Sequence, residues 1–164
     1  MKIAIIADTH GNLANIKKIV DWLKKEKINF IIHCGDVAGP SALKDGFSGF
    51  PGEMLLVLGN ADFGWKEDYD ILPNAKVFEK YGEIVLDGKK IAFTHYLEPA
   101  RGLAKSGKYG LVFYGHTHRP WEEKIGDCRL VNPGEAAGLY QKSTFAVFNT
   151  QTDELELKIL ELLK

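Results

Sequence analysis

Short apolar runs alternate with polar segments along the chain, and five of these runs predict buried β-strands. They are largely apolar and rich in β-branched or aromatic residues, which is typical of strands covered on both faces. The runs span residues 2–7, 30–34, 54–58, 91–94 and 111–114. Polar residues follow each run directly, so these polar side chains are expected at the carboxyl ends of the strands.

Helical periodicity is clearest between residues 12 and 27, where apolar residues recur opposite a row of lysines. This pattern predicts an amphipathic helix, capped by Asn12, whose apolar face lies on a sheet. Residues 37–52 contain four glycines and two prolines, which predicts a loop with at most a short helix beside the strand ends. Residues 98–107 predict another helix, which ends at Gly107.

The remaining segments predict antiparallel strands. Residues 76–80 and 83–86 are expected to pair across a turn at Gly82, and Asp87-Gly88 turns the chain into the strand that ends at residue 94. Four further candidate strands follow at 120–125, 128–131, 143–149 and 153–160.

In the last candidate strand, apolar and charged residues alternate between Glu154 and Ile159, which indicates one buried and one solvated face. The expected fold class is α/β, a four-layer α/β/β/α sandwich of two mixed sheets flanked by helices. This arrangement accommodates the pattern better than a single doubly wound sheet. We expect residues 1–164 to form a single domain.

Composition narrows the classes of function. The 164 residues carry 21 basic and 22 acidic side chains, a net charge of −1, which supplies no global field for holding long nucleic acids. No run approaches the ~20 apolar residues of a membrane span, and the chain starts in a strand with no secretory pattern before it. Cys34 and Cys128 resemble small core hydrophobes rather than a disulfide framework. We therefore expect a cytoplasmic protein.

Four of the five histidines lie in the polar motifs that follow the strands. Open α/β sheets place ligands at the carboxyl ends of their strands, so these motifs are expected to converge on one crevice at the top of one sheet. Crowded carboxylates and imidazoles would repel one another or stay desolvated without cations, which indicates a metal site. His33, inside an apolar strand, is expected to be a hydrogen-bonded structural residue, and Asp62 a turn or helix cap. The motifs are Asp8-Thr9-His10, Gly35-Asp36, Gly59-Asn60, His95 and Gly115-His116-Thr117-His118.

In this order over roughly residues 1–150, the five motifs resemble those of the calcineurin-like metallophosphoesterases. Each piece alone is weak, because Gly-Asp and Gly-Asn are ordinary turn pairs, but five pieces in order are specific. Gly59-Asn60-Ala61-Asp62 and Asn132-Pro133-Gly134-Glu135 are similar to motifs of the small prokaryotic phosphodiesterase branch, which includes archaeal and bacterial proteins.

The resemblance implies a centre of two divalent transition-metal ions. Nitrogen and oxygen ligands together suit Mn²⁺, the expected ion, as well as Ni²⁺, Fe²⁺, Zn²⁺ or Co²⁺, whereas four imidazoles fit Mg²⁺ or Ca²⁺ poorly. Asp36 would bridge the two ions. One ion would be held by Asp8, His10 and His118, and the other by Asn60, His95 and His116.

The implied reaction is hydrolysis of a small phosphodiester in one step, by in-line attack of a hydroxide held between the two cations. Asp36, Asn60 and His95 are the predicted catalytic residues. Because histidine ligands must be neutral, metal affinity and rate are expected to fall as the pH drops through roughly 6–7.

Two positions depart from the family pattern. Ala61 stands where many relatives have a histidine proposed to protonate the leaving alcohol, and Tyr96-Leu97 stands where relatives often have Gly-His. We therefore expect esters of acidic alcohols such as phenols to react better than alkyl esters. Arg101, Lys105 and Lys108 are either a solvated helix face or groups that steer an anionic substrate.

Two other functions stay open: a phosphomonoesterase, and a catalytically weak metal-binding scaffold such as the metallophosphoesterase-fold subunit of the retromer coat. Fold alone does not separate these possibilities. A complete set of ligand residues favours the enzyme, because a pure scaffold has no physical need for it. A small phosphate ester is the expected partner, with no membrane or long nucleic acid, and a homo-oligomer stays open.

Overall fold

The computed structural model describes residues 1–62, 64 and 71–164. Within these residues the strands are β1 Lys2–Ile6, β2 Phe30–His33, β3 Glu53–Val57, β4 Ala75–Phe78, β5 Tyr81–Leu86, β6 Lys89–Thr94, β7 Leu111–Phe113, β8 Pro120–Ile125, β9 Cys128–Pro133, β10 Thr144–Asn149 and β11 Leu155–Ile159. The α-helices are α1 Leu13–Lys25, α2 Pro40–Phe47 and α3 Leu97–Lys105, and short 3₁₀ helices cover Asn60–Asp62 and Leu160–Leu162.

The strands form two mixed sheets. The first has the order β11-β10-β1-β2-β3-β4 and the second the order β5-β6-β7-β9-β8. Strands β1 to β4 run parallel to one another in the first sheet, and β6, β7 and β9 run parallel to one another in the second. Antiparallel strands complete both sheets. The five buried strands predicted from the apolar runs are confirmed.

Three apolar layers hold the sheets and helices together. Ile16 and Leu23 of α1 and Phe47 of α2 pack on the outer face of the first sheet. Phe93 and Phe148 belong to the layer between the two sheets. On the outer face of the second sheet, small side chains of α3 pack against β6, β7 and β9. The structure is thus the predicted four-layer α/β/β/α sandwich.

The helices agree with the sequence pattern. Asn12 caps α1, because its side chain accepts a hydrogen bond from the backbone N–H of Asn15 at 3.2 Å. The glycine- and proline-rich stretch contains one helix of eight residues, α2, which starts at Pro40. Proline suits the first turn of a helix, because a backbone N–H at that position has no acceptor within the helix and its absence costs no hydrogen bond. Helix α3 ends at Lys105, just before Gly107.

The predicted pairing of residues 76–80 with 83–86 is wrong. Strand β4 pairs in parallel with β3, and β5 pairs with β6 in the other sheet, so the chain crosses between the sheets here. Gly82 lies inside β5 rather than in a turn. A Cβ atom at this position would lie 2.1 Å from the ring of Phe93, so glycine permits a close approach of the ring to the backbone. The turn at Asp87-Gly88 is confirmed.

Both cysteines, Cys34 and Cys128, are free and buried, as expected for small core residues. Among the described residues, every helix is too short or too polar to cross a membrane.

Candidate metal centre

The five polar motifs meet at one edge of the sandwich. The carboxyl ends of β1, β2 and β3 in the first sheet and of β6 and β7 in the second lie there, and backbone hydrogen bonds join the segments that follow them. The N–H of Asp8 donates to the carbonyl of Gly35 at 3.0 Å, and the N–H of Gly115 donates to that of His95 at 3.0 Å. The predicted convergence at the strand ends is therefore observed, but the crevice lies between the two sheets rather than at the top of one sheet, because strands of both sheets contribute to it.

One group of side chains combines two carboxylates with two imidazoles: Asp8, His10, Asp36 and His118. One ligand-type atom from each lies within 4.8 Å of the others. Nε2 of His10 is 3.3 Å from Nε2 of His118, and Nε2 of His118 is 3.5 Å from Oδ1 of Asp8. Nε2 of His10 lies 3.6 Å from Oδ2 of Asp36. This group could hold one cation.

A second group, Asp36, His95 and His116, also has its ligand-type atoms within 4.8 Å of one another. Nε2 of His95 lies 3.5 Å from Oδ1 of Asp36 and 3.1 Å from Oδ1 of Asn60. Asp36 belongs to both groups, with Oδ2 toward His10 and Oδ1 toward His95. All seven residues predicted as ligands thus lie together, and we call them the candidate metal centre.

The hydrogen bond of His95 shows that this group suits a cation. Nδ1 of His95 lies 2.8 Å from the carbonyl of Cys34, which can only accept, so Nδ1 carries the proton of the neutral ring. Nε2 then presents a lone pair to the oxygens of Asn60 and Asp36, which are also acceptors. A positive ion among these three atoms satisfies them all, as the chemistry of a divalent site requires.

The electrostatics of the Asp36–His95 pair agree with this arrangement. Burial acts to lower the pKa of His95, but the hydrogen bond and charge of Asp36 outweigh it, so the pKa is raised. Burial acts to raise the pKa of Asp36, yet the same pairing, the N–H of Ala61 and the charge of His10 bring it below its usual range. In the absence of a cation, a proton on His95 is therefore favoured at the place where a metal ion would be bound.

Glu135 orients His118, a role that the sequence analysis did not assign. Nδ1 of His118 lies 2.9 Å from Oε2 of the fully buried Glu135, so Nδ1 carries the proton and Nε2 faces the centre. Burial acts to raise the pKa of Glu135, but the backbone N–H groups of Gln141 and Tyr140 and the bond to His118 outweigh it and lower the pKa. In the sequence, Glu135 drew attention only as part of Asn132-Pro133-Gly134-Glu135, a motif that indicated a branch of the family and no role for the residue.

Asp8 is buried at the base of the centre. Burial raises its pKa to about 7, although the charges of His95 and His118 act against this shift. The N–H of His116 donates to Oδ2 of Asp8 at 3.0 Å. Burial also lowers the pKa of His10 and that of His116. Burial therefore disfavours the charged forms of Asp8, His10 and His116 when no cation balances them.

The backbone of the candidate metal centre is strained at most of its positions. Five of the seven residues adopt positive φ angles, which side chains other than glycine rarely do. The φ angles are 52° for Asp8, 41° for His10, 59° for Asp36, 66° for His116 and 59° for His118. Such angles persist only where the surrounding packing enforces them, and they direct these side chains into the crevice.

Two glycines allow the strand ends to approach closely. A Cβ atom at Gly35 would lie 2.6 Å from Nδ1 of His95, and one at Gly59 would lie 2.2 Å from Oδ1 of Asp36. Neither position has room for a side chain. In the Gly-Asp and Gly-Asn pairs, the second residue therefore supplies a polar side chain, and the glycine leaves room for the side chains that pack against the turn.

Asp62 and His33 support the centre from behind. The carboxylate of Asp62 accepts the N–H groups of Asp36, Ala38 and Gly59 at 2.8–2.9 Å, so it caps the turns after β2 and β3 together. His33 is fully buried and accepts the N–H of Gly35 on Nδ1, while Nε2 lies 3.2 Å from the hydroxyl of Thr9. Burial lowers the pKa of His33 to about 4. The structural roles expected of both residues are confirmed.

The two departures from the family pattern lie beside the centre. Ala61 donates its backbone N–H to Oδ1 of Asp36 at 2.8 Å. The ring of Tyr96 is 41% exposed and its centroid lies 4.9 Å from the rings of both His95 and His116. Arg101 lies 3.2 Å from Glu98 and 3.5 Å from Glu123, which favours a solvated helix face over substrate steering for this residue.

Comparison with known proteins gives consistent matches. Residues 1–153 match the model of the calcineurin-like phosphoesterase superfamily domain. The chain is 32% identical to a phosphodiesterase of Methanocaldococcus jannaschii, covering 98% of this chain and 100% of that protein. It is 24% identical to the phosphodiesterase YfcE of Escherichia coli over 84% of this chain and 80% of YfcE.

A solved structure of an archaeal phosphodiesterase superimposes with a TM-score of 0.88 at 29% identity, covering 97% of this chain and 99% of that one. The match of the family model over nearly the whole chain agrees with the two mixed sheets and the paired Asp and His clusters. This protein therefore belongs to the calcineurin-like phosphoesterase superfamily.

Proposed function

We propose that this protein is a phosphodiesterase that hydrolyses small phosphodiesters with the help of two divalent cations. The position of Asp36 carries the proposal, because its two carboxylate oxygens face two separate groups of ligand-type atoms. A carboxylate placed in this way can neutralise part of the repulsion between two cations. The named relatives, which are phosphodiesterases, support the choice of a diester.

In this proposal Asp8, His10 and His118 hold one cation, Asn60, His95 and His116 hold the other, and Asp36 contacts both. When bound, the cations supply Lewis acidity toward water and toward the phosphoryl oxygens. In the neutral rings, the carbonyl of Cys34 and the carboxylate of Glu135 hold the proton on Nδ1 of His95 and of His118, which leaves each Nε2 free to bind a cation. Asp36 belongs to both groups, His95 lies beside it and Asn60 lies beside His95, and we assign these three residues the catalytic roles. We propose Mn²⁺ as the ion, and Ni²⁺, Fe²⁺, Zn²⁺ and Co²⁺ also accept mixed nitrogen and oxygen donors.

The leaving alcohol receives no proton from a histidine in this proposal. The chain has five histidines, of which four are proposed ligands, and the fifth, His33, is fully buried behind the centre. General acid catalysis is typically worth roughly 10²–10⁴ in rate. Substrates whose leaving groups are already acidic, such as phenols, should therefore react best.

The reaction can be tested with bis(p-nitrophenyl) phosphate and added Mn²⁺. We expect turnover by the wild type, at least about a 100-fold loss in Asp36→Asn and His95→Ala, and wild-type activity in Arg101→Ala, a matched surface control. We also expect the wild type to hydrolyse the monoester p-nitrophenyl phosphate more slowly than the diester. Equal, weak activity in the wild type and both centre variants would contradict the proposal and favour a metal-binding scaffold.

The expected partner is a small phosphate ester. A net charge of −1 offers no extended positive field for a long nucleic acid. The two free cysteines suit a reducing compartment, so we propose that the protein acts in the cytoplasm.

A further inference from the structure

A cavity of about 540 Å³ lies between α3 and the β5–β6 hairpin. Its walls are mainly apolar and aromatic, and they include Leu58, Tyr96, Pro99, Gly102, Leu103 and Tyr109. The volume lies within the range of pockets that bind small molecules, roughly 300–1,000 Å³.

Tyr96 separates this cavity from the candidate metal centre. One side of its ring contacts the rings of His95 and His116, with 4.9 Å between centroids, and the same residue lines the cavity. Leu58, on another wall, directly precedes Gly59-Asn60 in the chain. The cavity therefore begins one side chain away from the group formed by Asp36, His95 and His116.

We propose that this cavity binds an aromatic ester group of the phosphodiester while its phosphate lies at the candidate metal centre. This inference rests on the proposed function and specifies its substrate class. An aromatic ring gains from contact with apolar walls and from edge-to-face packing on Tyr96 and Tyr109. A methyl ester would leave most of the volume unfilled. Glu79, Lys80 and Lys108 also line the cavity, so charged groups of both signs lie beside its apolar walls.

Gly102 provides a way to fill the cavity without disturbing the fold. It lies inside α3, and a Cβ atom added there would have no atom within 4 Å. The variant Gly102→Trp should therefore occupy the cavity, while Gly102→Ala adds one methyl group and favours the helix. Leu103→Ala removes an apolar wall and provides an independent second variant.

The test measures binding by calorimetry, with Mn²⁺ present, of phenylphosphonate and methylphosphonate, which share a head group. The wild type and Gly102→Ala should bind phenylphosphonate about tenfold more tightly than methylphosphonate. Gly102→Trp and Leu103→Ala should lose this preference and keep the affinity for methylphosphonate.

Equal affinities for the two phosphonates in the wild type would overturn the inference and leave the proposed reaction intact. A preference that survives in both Gly102→Trp and Leu103→Ala would also overturn it. If neither phosphonate binds to the wild type, the inference is overturned, whereas the proposed reaction stands or falls separately with the turnover of bis(p-nitrophenyl) phosphate.

Discussion

At the residue scale, close packing of the backbone shapes the candidate metal centre as much as the polar side chains do. Gly59 has Oδ1 of Asp36 where its own Cβ atom would lie, and Asp8, His10 and Asp36 adopt left-handed backbone angles. Conformations of this kind cost on the order of 1–3 kcal/mol each. They direct side chains from distant segments to one point. The protein therefore gives up part of its free energy of folding in order to form the candidate metal centre.

Replacing Gly59 with alanine should displace the carboxylate of Asp36. A Cβ atom would lie 2.2 Å from Oδ1 of Asp36 and 2.6 Å from its backbone nitrogen, so the turn must shift. We expect Gly59→Ala to reduce the free energy of unfolding by about 1–3 kcal/mol, as measured by urea denaturation, and to weaken Mn²⁺ binding. Gly49→Ala is the matched control, because a Cβ atom at Gly49 has no neighbour within 4 Å. Equal losses in the two variants would refute the steric argument.

The buried carboxylate of Asp8 should make the metal-free protein less stable as the pH rises. Its folded-state pKa of about 7 exceeds the ordinary value of 3.8, so between these values the folded state binds a proton that the unfolded chain has lost. The stability present below about pH 4 is therefore lost as the pH rises through 7, by up to roughly 4 kcal/mol.

Asp8→Asn removes this titration. In chelator, the variant should be more stable than the wild type at pH 8, and the difference should disappear near pH 4. Urea unfolding at both values measures it. A variant whose stability relative to the wild type stays constant from pH 4 to 8 would show that Asp8 does not titrate in this way.

At the scale of elements, the end of β9 holds the turn that follows β7. The side-chain amide of Asn132 donates to the carbonyl of Gly115 at 2.8 Å and lies 3.1 Å from the hydroxyl of Thr117. Glu135 then binds His118 and the backbone of residues 139–141. Two connections of the second sheet are thereby joined at the candidate metal centre.

Glu135→Gln should weaken metal binding without unfolding the protein. The glutamine side chain is neutral and polarises the imidazole of His118 less, and changes of this kind typically cost about 10–100-fold in metal affinity. Competition with a chelator measures the affinity for Mn²⁺. Glu122→Gln, an exposed residue of β8 paired with Arg129, is the control and should bind as the wild type does. Unchanged affinity in Glu135→Gln would mean that His118 needs no orienting carboxylate.

At the scale of the whole molecule, the candidate metal centre joins the two sheets. Asp8, His10, Asp36 and Asn60 follow strands of the first sheet, whereas His95, His116 and His118 follow strands of the second. A ligand that binds only the folded state stabilises it by about 2.7 kcal/mol at a concentration of 100 Kd. Cation binding should therefore stabilise the sandwich as a whole.

We expect Mn²⁺ to raise the Tm of the wild type by roughly 5–10 °C at pH 7.5, as measured by calorimetry. The increase should shrink at pH 5.5, because protons compete for Asp8 and for the histidine ligands. Asp36→Asn should show little or no increase at either pH. An equal increase in Asp36→Asn would place the stabilising ion elsewhere.

Features that depend on local pattern could be predicted from the order of the amino acids. Apolar runs such as residues 2–7 and 111–114 predicted buried strands, because a strand covered on both faces needs apolar residues at every position. The strand-end motifs predicted that Asp36 and His95 meet, because the carboxyl ends of parallel strands lie at one edge of a sheet. The two residues follow strands of different sheets, so their contact also depends on how the two sheets pack together. Their roles as ligands stay a prediction.

The pairing of strands and the partners of buried polar groups became known from the folded structure. The apolar and polar residues of β4 and β5 indicate that both strands are partly buried. They do not indicate the sheet to which each strand belongs. The bond from Glu135 to His118 and the cavity beside Tyr96 join segments that are distant in the chain. Local periodicity reports how each segment is buried, whereas these contacts exist only after the two sheets have packed together.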